Sequence, residues 1–272
     1  MLLTGEFDIH IINACNLSCK NCSVLDFKFG YKVDELGEKY NDEIGKNVNK
    51  FMTYEDVVKQ VELIKKWGYK LEVLKILGGE PTTHPKFPEI VDFLLESEVA
   101  EEVHVNTNGL NFSEKVISAC SKLDKVLITL YPMVNTKIDQ LKEFKHSGIS
   151  NQFKKTHINL MTSFERFGIG QPDVEYTKQG NWDACWVKHH CRTIEGETMY
   201  QCNVSYAKRV EGRHISEWGD KLDTILDLCA KCPYPPKLEP WSSLNIKKDR
   251  RNLNKGVKLW QDYSNKINVR EI

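Results

Sequence analysis

Two periodicities alternate along the first 160 residues. Strand-length runs, Phe7 to Asn13, Leu71 to Leu77, Val103 to Asn106, Lys125 to Leu130 and Lys155 to Leu160, are separated by longer polar stretches. In those stretches apolar residues return every three to four positions, the spacing of one helical face. The first opens at Thr53, with Asp56 three residues on in the manner of a capping box, and its face is Val57, Val58, Val61, Ile64 and Trp67. A second carries Ile90, Val91, Phe93, Leu94 and Leu95, a third spans Ser113 to Lys122, and a fourth runs from about Thr136 to Lys145. Five strands alternating with helices predict an α/β fold, a parallel sheet or a barrel.

The alternation stops near Met161. Residues 162–180 turn to Gly, Pro and mixed polar types and read as a linker. Beyond it a hairpin from Arg192 to Val204, turning at Gly196, and a short helix from Leu222 to Leu228 are expected. The segment between Cys22 and Thr53 is long for a strand-to-helix connection. Its charges nearly balance, so it reads as a solvated insertion, with a lid as the alternative.

Composition narrows the function. At roughly 150 residues per domain, a chain of this length holds one to two domains, and 40% hydrophobic residues can fill a core. Lys plus Arg and Asp plus Glu are 38 each, which gives no general attraction to nucleic acid or an acidic membrane. The runs Val73 to Leu77 and Val126 to Leu130 fall far short of the roughly 20 residues that span a bilayer, and no secretion signal opens the sequence. A soluble, cytoplasmic protein is expected, without nucleic-acid or membrane partners.

Nine cysteines, at positions 15, 19, 22, 120, 185, 191, 202, 229 and 232, stand out. An odd number cannot all pair, and without a secretion signal they point to metal or redox work. Cys120 lies on an apolar helical face with Val116, Ile117 and Leu123 and is expected as a buried small hydrophobe. Cys15, Cys19 and Cys22 form C-x3-C-x2-C on the loop leaving strand one, where barrel enzymes build their sites. Zinc would want a fourth protein ligand, and His10 is on the strand rather than in the loop. A [4Fe–4S] cluster held by three cysteines has one open iron.

This loop resembles the signature of the radical S-adenosylmethionine (SAM) superfamily, and the resemblance implies that family's fold, a partial (βα) barrel of about five to six parallel strands. Strand two ends in Gly78-Gly79-Glu80-Pro81, similar to the family's glycine-rich motif, strand three runs into Thr107-Asn108-Gly109, and strand four carries Thr129 and Tyr131. Asn21 departs from the aromatic residue common before the third cysteine. The resemblance implies Cys15, Cys19 and Cys22 as cluster ligands and Gly78, Gly79 and Glu80 around the methionyl part of SAM. In that arrangement Glu80 faces the ammonium, with Asn108 and Thr129 near the ribose. It further implies reductive cleavage of SAM to a 5′-deoxyadenosyl radical that abstracts a substrate hydrogen, with flavodoxin or ferredoxin as electron donor.

Cys185, Cys191, Cys202, Cys229 and Cys232 form a second set. Taken alone, two cysteine pairs around a hairpin suggest a zinc ribbon. Beside the first set, C-x10-G-x5-C followed by C-x2-C resembles the twitch/SPASM-type auxiliary domain of radical SAM enzymes. Butirosin-type 2-deoxy-scyllo-inosamine dehydrogenases share that architecture. The resemblance implies a second [4Fe–4S] cluster on Cys185, Cys202, Cys229 and Cys232, Cys185 fitting the spacing to Gly196 better than Cys191. His189 and His190 read as solvated loop residues. The expected domains are 1–161, the partial barrel; 162–240, the small cysteine-rich twitch-like domain; and 241–272, an extension with a charge of +5.

Three functions compete. The first is a radical SAM oxidoreductase, dehydrogenase or epimerase, acting on a small polar molecule such as a sugar, cyclitol or nucleoside. A peptide maturase with a separate leader-binding partner is the second, since strand one starts too early for a leader-binding domain before it. A metal-stabilised binding protein without turnover is the third.

Overall fold

The computed structural model describes residues 1–12, 15–16, 52–130, 152–160, 179, 182, 185, 191–208, 211–219, 225–227 and 229. Cys19, Cys22 and Cys232, the helix expected at 136–145, the 162–180 linker apart from Gln179, His189 and His190, and the extension from 241 lie outside them.

In chain order the elements are β1 (Leu2–Ile12), α1 (Tyr54–Lys66), β2 (Lys70–Gly78), a 3-10 turn (Pro81–Thr83), α2 (Phe87–Glu96), β3 (Ala100–Thr107), α3 (Glu114–Lys122), β4 (Lys125–Leu130) and β5 (Thr156–Leu160). There follow β6 (Arg192–Glu195), β7 (Thr198–Tyr200), α4 (Asn203–Lys208), β8 (Arg213–His214) and a 3-10 turn (Ile215–Glu217). Strand one begins five residues before its expected start. Leu2 and Leu3 pair with Lys70 and Leu71, and the register then shifts before Glu6. Gly5, at a φ of 95°, turns the chain at this bulge, which breaks the apolar alternation.

The strands form one sheet in the order β5-β4-β3-β2-β1-β6-β7-β8, parallel from β5 across to β6 and antiparallel beyond. Because β1 to β5 follow one another in sequence across the sheet, right-handed crossovers carry the connecting helices to a single face. That face is dry. Phe7, Ile9, Leu74, Ile76, Val103, Val105, Val126 and Ile128 share its core with Val57, Val61 and Ile64 of α1, Ile90, Val91 and Leu94 of α2, and Val116, Ala119 and Cys120 of α3. Burial also pushes the Cys120 thiol up to about 12, as suits a packing residue.

α1 starts where the capping box places it. The Asp56 N–H donates to Thr53 Oγ1 at 3.1 Å, and the Thr53 N–H donates to Asp56 Oδ2 at 2.9 Å. The second half differs from expectation in two places. The hairpin ends at Tyr200, not Val204, because Cys202 caps α4: its carbonyl accepts from Tyr206 N at 3.0 Å and its sulfur from Ser205 N at 3.4 Å. Of the helix expected at 222–228, residues 225–227 are described and form no α-helix, only a turn closed by Cys229 N–H to Leu226 O at 3.0 Å.

The hairpin extends the sheet. β6 lies parallel to β1, with Phe7 beside Arg192 and Asp8 beside Thr193. The Arg192 guanidinium lies 5.4 Å from the Phe7 ring centroid and donates to Thr4 O at 2.7 Å. Trp218 stacks on Tyr69 at 5.7 Å and His214 meets Trp67 at 5.9 Å. No helix of the described residues is long and apolar enough to cross a membrane.

Candidate functional site

Parallel strands bring their C-terminal ends to one edge of the sheet. Cys15 follows β1 there, Gly78 to Glu80 close β2, Asn108 follows β3 and Thr129 lies near the end of β4. Gly78 has a φ of +141°, and a Cβ at this position would lie 2.1 Å from the carbonyl oxygen of Ile12. The Gly79 N–H donates to the same oxygen at 2.7 Å. The close approach of β1 therefore demands glycine at 78, a reason separate from ligand approach.

Glu80 is 1% exposed. Its Oε1 accepts from Thr82 Oγ1 and Thr107 Oγ1, both at 2.6 Å, and from the Thr82 N–H at 3.3 Å, while Oε2 accepts from the Asn108 N–H at 2.7 Å. Burial pushes its pKa up, and the donors from Asn108, Thr107 and Thr82 pull it back. The carboxylate thus joins the glycine loop of β2 to the turn after β3, and in this arrangement it holds protein groups rather than facing outward.

The Asn108 side chain reaches across to the cysteine loop. Its Nδ2 donates to Asn16 Oδ1 at 2.7 Å and lies 3.9 Å from Cys15 Sγ, while its Oδ1 accepts from the Leu110 N–H at 3.0 Å. His84 fixes the place where the chain returns after the 17–51 segment. Its Nδ1 accepts from the Lys86 N–H at 3.0 Å, which leaves Nε2 to donate to Met52 O at 2.9 Å, and burial lowers its pKa toward the neutral ring that this pattern requires. Asn16, Thr82 and His84 did not stand out in the sequence. A threonine two residues after the glutamate and a T-N-G turn are common in loops, and only the fold joins them.

The sheet face away from the helices is polar. Strand register aligns Thr193, Asp8, Lys75, His104 and Lys125 in one row across β6, β1, β2, β3 and β4. Residues in register share a face. Lys75 Nζ lies 2.9 Å from Glu6 Oε2 and 3.1 Å from Asp8 Oδ1. Burial lifts Asp8 to about 6, against the pull of Lys75. Burial also opposes the Lys75 charge, but Asp8, Cys191 and Glu6 outweigh it and raise its pKa. His104 Nδ1, Asn106 Oδ1 and Thr193 Oγ1 on this face are buried with no hydrogen-bond partner.

The second cysteine set is only partly described. Cys185, Cys191, Cys202 and Cys229 are of intermediate exposure. Among the described residues, no three His, Cys, Asp or Glu side chains are grouped so as to hold a metal ion. Burial pushes the Cys191 thiol up; Lys75 pulls it down, and Asp8, Glu6 and Cys202 push it further up.

The fold is similar to that of BtrN solved in complex with AdoMet and 2-DOIA: 13% identity, 84% of this chain and 88% of that chain covered, TM-score 0.53. BtrN in an open conformation covers 90% and 95% at a TM-score of 0.47. Streptococcus suis SuiB bound to the precursor peptide SuiA aligns at 11% identity and a TM-score of 0.49, over 85% of this chain but 65% of its own. No curated protein matches the chain in sequence. Residues 9–161, more than half of the chain, match the family model described as Radical SAM superfamily, and the chain belongs to that superfamily.

Proposed function

We propose that the chain is a radical SAM oxidoreductase, dehydrogenase or epimerase, acting on a small polar molecule such as a sugar, cyclitol or nucleoside. The observation that carries this reading is the gathering of Cys15, Gly78 to Glu80 and Asn108 at one edge of the sheet. Cys15, with Cys19 and Cys22 four and seven residues on, suits a [4Fe–4S] cluster, because three thiolates leave one iron open. When bound, the cluster and SAM supply a carbon-centred radical able to take a hydrogen atom from substrate. The chain supplies position and exclusion of water. Gly78 and Gly79 offer backbone at the methionyl part of SAM, Glu80 fixes that loop, and Asn108 and Thr129 stand at the same edge.

A polar substrate is supported by the face below that edge. His104 Nδ1, Asn106 Oδ1 and Thr193 Oγ1 are buried without partners, and each such group costs about 1–3 kcal/mol unless something bonds it. A hydrogen-bonding ligand would relieve them. The BtrN structure, with AdoMet and 2-DOIA bound in a similar fold, accords with this reading.

We further propose domains at 1–161, 162–240 and 241–272, with a second [4Fe–4S] cluster on Cys185, Cys202, Cys229 and Cys232. Cys185 is taken as the fourth ligand on its spacing to Gly196, with Cys191, just before β6, near both Lys75 and Cys202. A flavodoxin or ferredoxin is the electron donor this reading requires.

The test is anaerobic reconstitution with iron and sulfide. Brown protein that converts SAM and dithionite to 5′-deoxyadenosine supports the reading, and Cys19→Ala should abolish the conversion. Colourless, zinc-loaded protein would sink it. Iron and a cluster absorption band retained in the Cys15, Cys19, Cys22→Ala triple variant would support the second cluster, whereas one zinc and no band would remove it.

A further inference from the structure

The carboxamide of Asn108 is fully used by the protein. Oδ1 closes a turn onto the Leu110 N–H, while Nδ2 takes Asn16 Oδ1 at 2.7 Å and faces Cys15 Sγ at 3.9 Å. Its backbone is held from beneath, where the Asn108 N–H is bound to Glu80 Oε2 at 2.7 Å and Glu80 is tied to Thr107 at 2.6 Å. Asn108 is 5% exposed, whereas Asn16 is exposed. A buried, doubly anchored donor therefore reaches out to the exposed Asn16 and the sulfur beside it.

We infer that Asn108 is a positioning residue for the first cysteine: it clasps the Cys15–Asn16 segment and directs an N–H dipole at the Cys15 sulfur, setting the reduction potential of the cluster bound there. This rests on the proposed role of Cys15 as a cluster ligand. An N–H aimed at a ligating sulfur stabilises the reduced, more negative state, so its removal makes reduction harder. Glu80 belongs to the same device, because it holds the Asn108 backbone in place. The glycine loop of β2 and the cysteine loop of β1 are then coupled through two side chains, and a shift in one is felt by the other.

The experiment is an EPR-monitored redox titration of the reconstituted full-length chain, the first cluster being identified by the change SAM makes in its signal. Asn108→Leu keeps the volume and removes the donor. Its reduction equilibrium is expected to fall about tenfold, or about 59 mV for one electron, with circular dichroism unchanged. Asn16→Ala alters only an exposed residue and leaves the sulfur contact, so it should shift the potential the same way by a smaller factor. If Asn108→Leu does not retain the cluster, a lowered potential in Asn16→Ala alone still supports the clasp. Wild-type potentials in every variant that holds the cluster would overturn it while leaving SAM cleavage, and so the proposed function, intact. A wild-type chain that takes up no cluster overturns both.

Discussion

On the helix-covered face of the sheet, Phe7, Leu74, Val103 and Val126 pack at 0–3% exposure. Directly beside them on the same four strands stand Asp8, Lys75, His104 and Lys125, on the opposite face. The first face draws its stability from apolar area, about 1.5–3 kcal/mol for each large side chain. That term does not depend on pH. The second keeps charges out of water in an arrangement whose balance changes with every proton. Selection for packing explains the first face; the second costs stability, which fits a surface kept for binding.

The largest effects would show whether the faces act independently. Phe7→Ala opens a cavity under Arg192 and should cost about 3–5 kcal/mol in urea unfolding, equally at pH 5 and pH 8. A loss that varied with pH would mean that the apolar face is coupled to the ion pairs. Lys75→Met acts on the other face. It leaves Asp8 and Glu6 as neighbouring carboxylates without their cation, a loss of about 3 kcal/mol at pH 8. Acidification toward pH 5 should recover much of it as the carboxylates take up protons.

The wild-type chain has its own slope in that window. Burial holds the Asp8 pKa at about 6 in the fold, above the value near 3.9 of an unfolded chain. The folded form therefore binds more protons between pH about 4 and about 6, and the Asp8 contribution to stability falls as pH rises through that window and is level above it. Asp8→Asn should flatten this part of the profile. An unchanged slope would place the titration elsewhere.

These contrasts also explain what could be read from the sequence. The apolar face announces itself by period: α1, α2, α3 and the strands from β2 to β5 lie close to their expected positions because each buries a regular stripe. The start of β1 was hidden, since Gly5 and the bulge interrupt its alternation. Charge balance gave no hint of the polar row, because Asp8, Lys75, His104 and Lys125 are scattered over more than a hundred residues and align only through register. At the candidate site, Cys15, Gly78 and Glu80 were visible as motif residues. So were Thr107 and Asn108, but the bonds that join these residues to one another and to Asn16 were not, because the Glu80 to Thr107 and Asn108 to Asn16 bonds span 27 and 92 residues.

Where the hairpin meets the barrel, the two kinds of surface mix. Gln60 is 2% exposed on the otherwise apolar face of α1. Its side chain donates to Gly196 O at 2.8 Å and accepts from the Gly196 N–H at 2.6 Å, gripping the turn between β6 and β7. Gln60→Ala would hand that exposed N–H and carbonyl to water, a cost of about 0.5–1.5 kcal/mol for each bond lost. Hydrogen exchange at the Gly196 amide should speed up well before the strands of the core respond. Core exchange rising in step would show that the hairpin and barrel unfold as one unit.

The smallest expected effect is at Thr53, which contributes no apolar area and no charge. Its hydroxyl accepts from the Asp56 N–H while the Asp56 carboxylate accepts from its own N–H, so each satisfies a backbone donor that the first turn of α1 would otherwise leave open. Thr53→Ala removes one of those bonds and should cost about 1 kcal/mol, with Thr53→Ser retaining most of it. Thr53 follows Met52, whose N–H donates to Ile11 O at 3.0 Å and whose carbonyl accepts from His84. Local fraying at the helix start would therefore reach the point where the chain re-enters the sheet beside β1. A loss near 1 kcal/mol confined to urea unfolding would mark the cap as a helix device alone. A shift in the cluster potential of Thr53→Ala as well would show that the first turn of α1 belongs to the support of the cysteine loop.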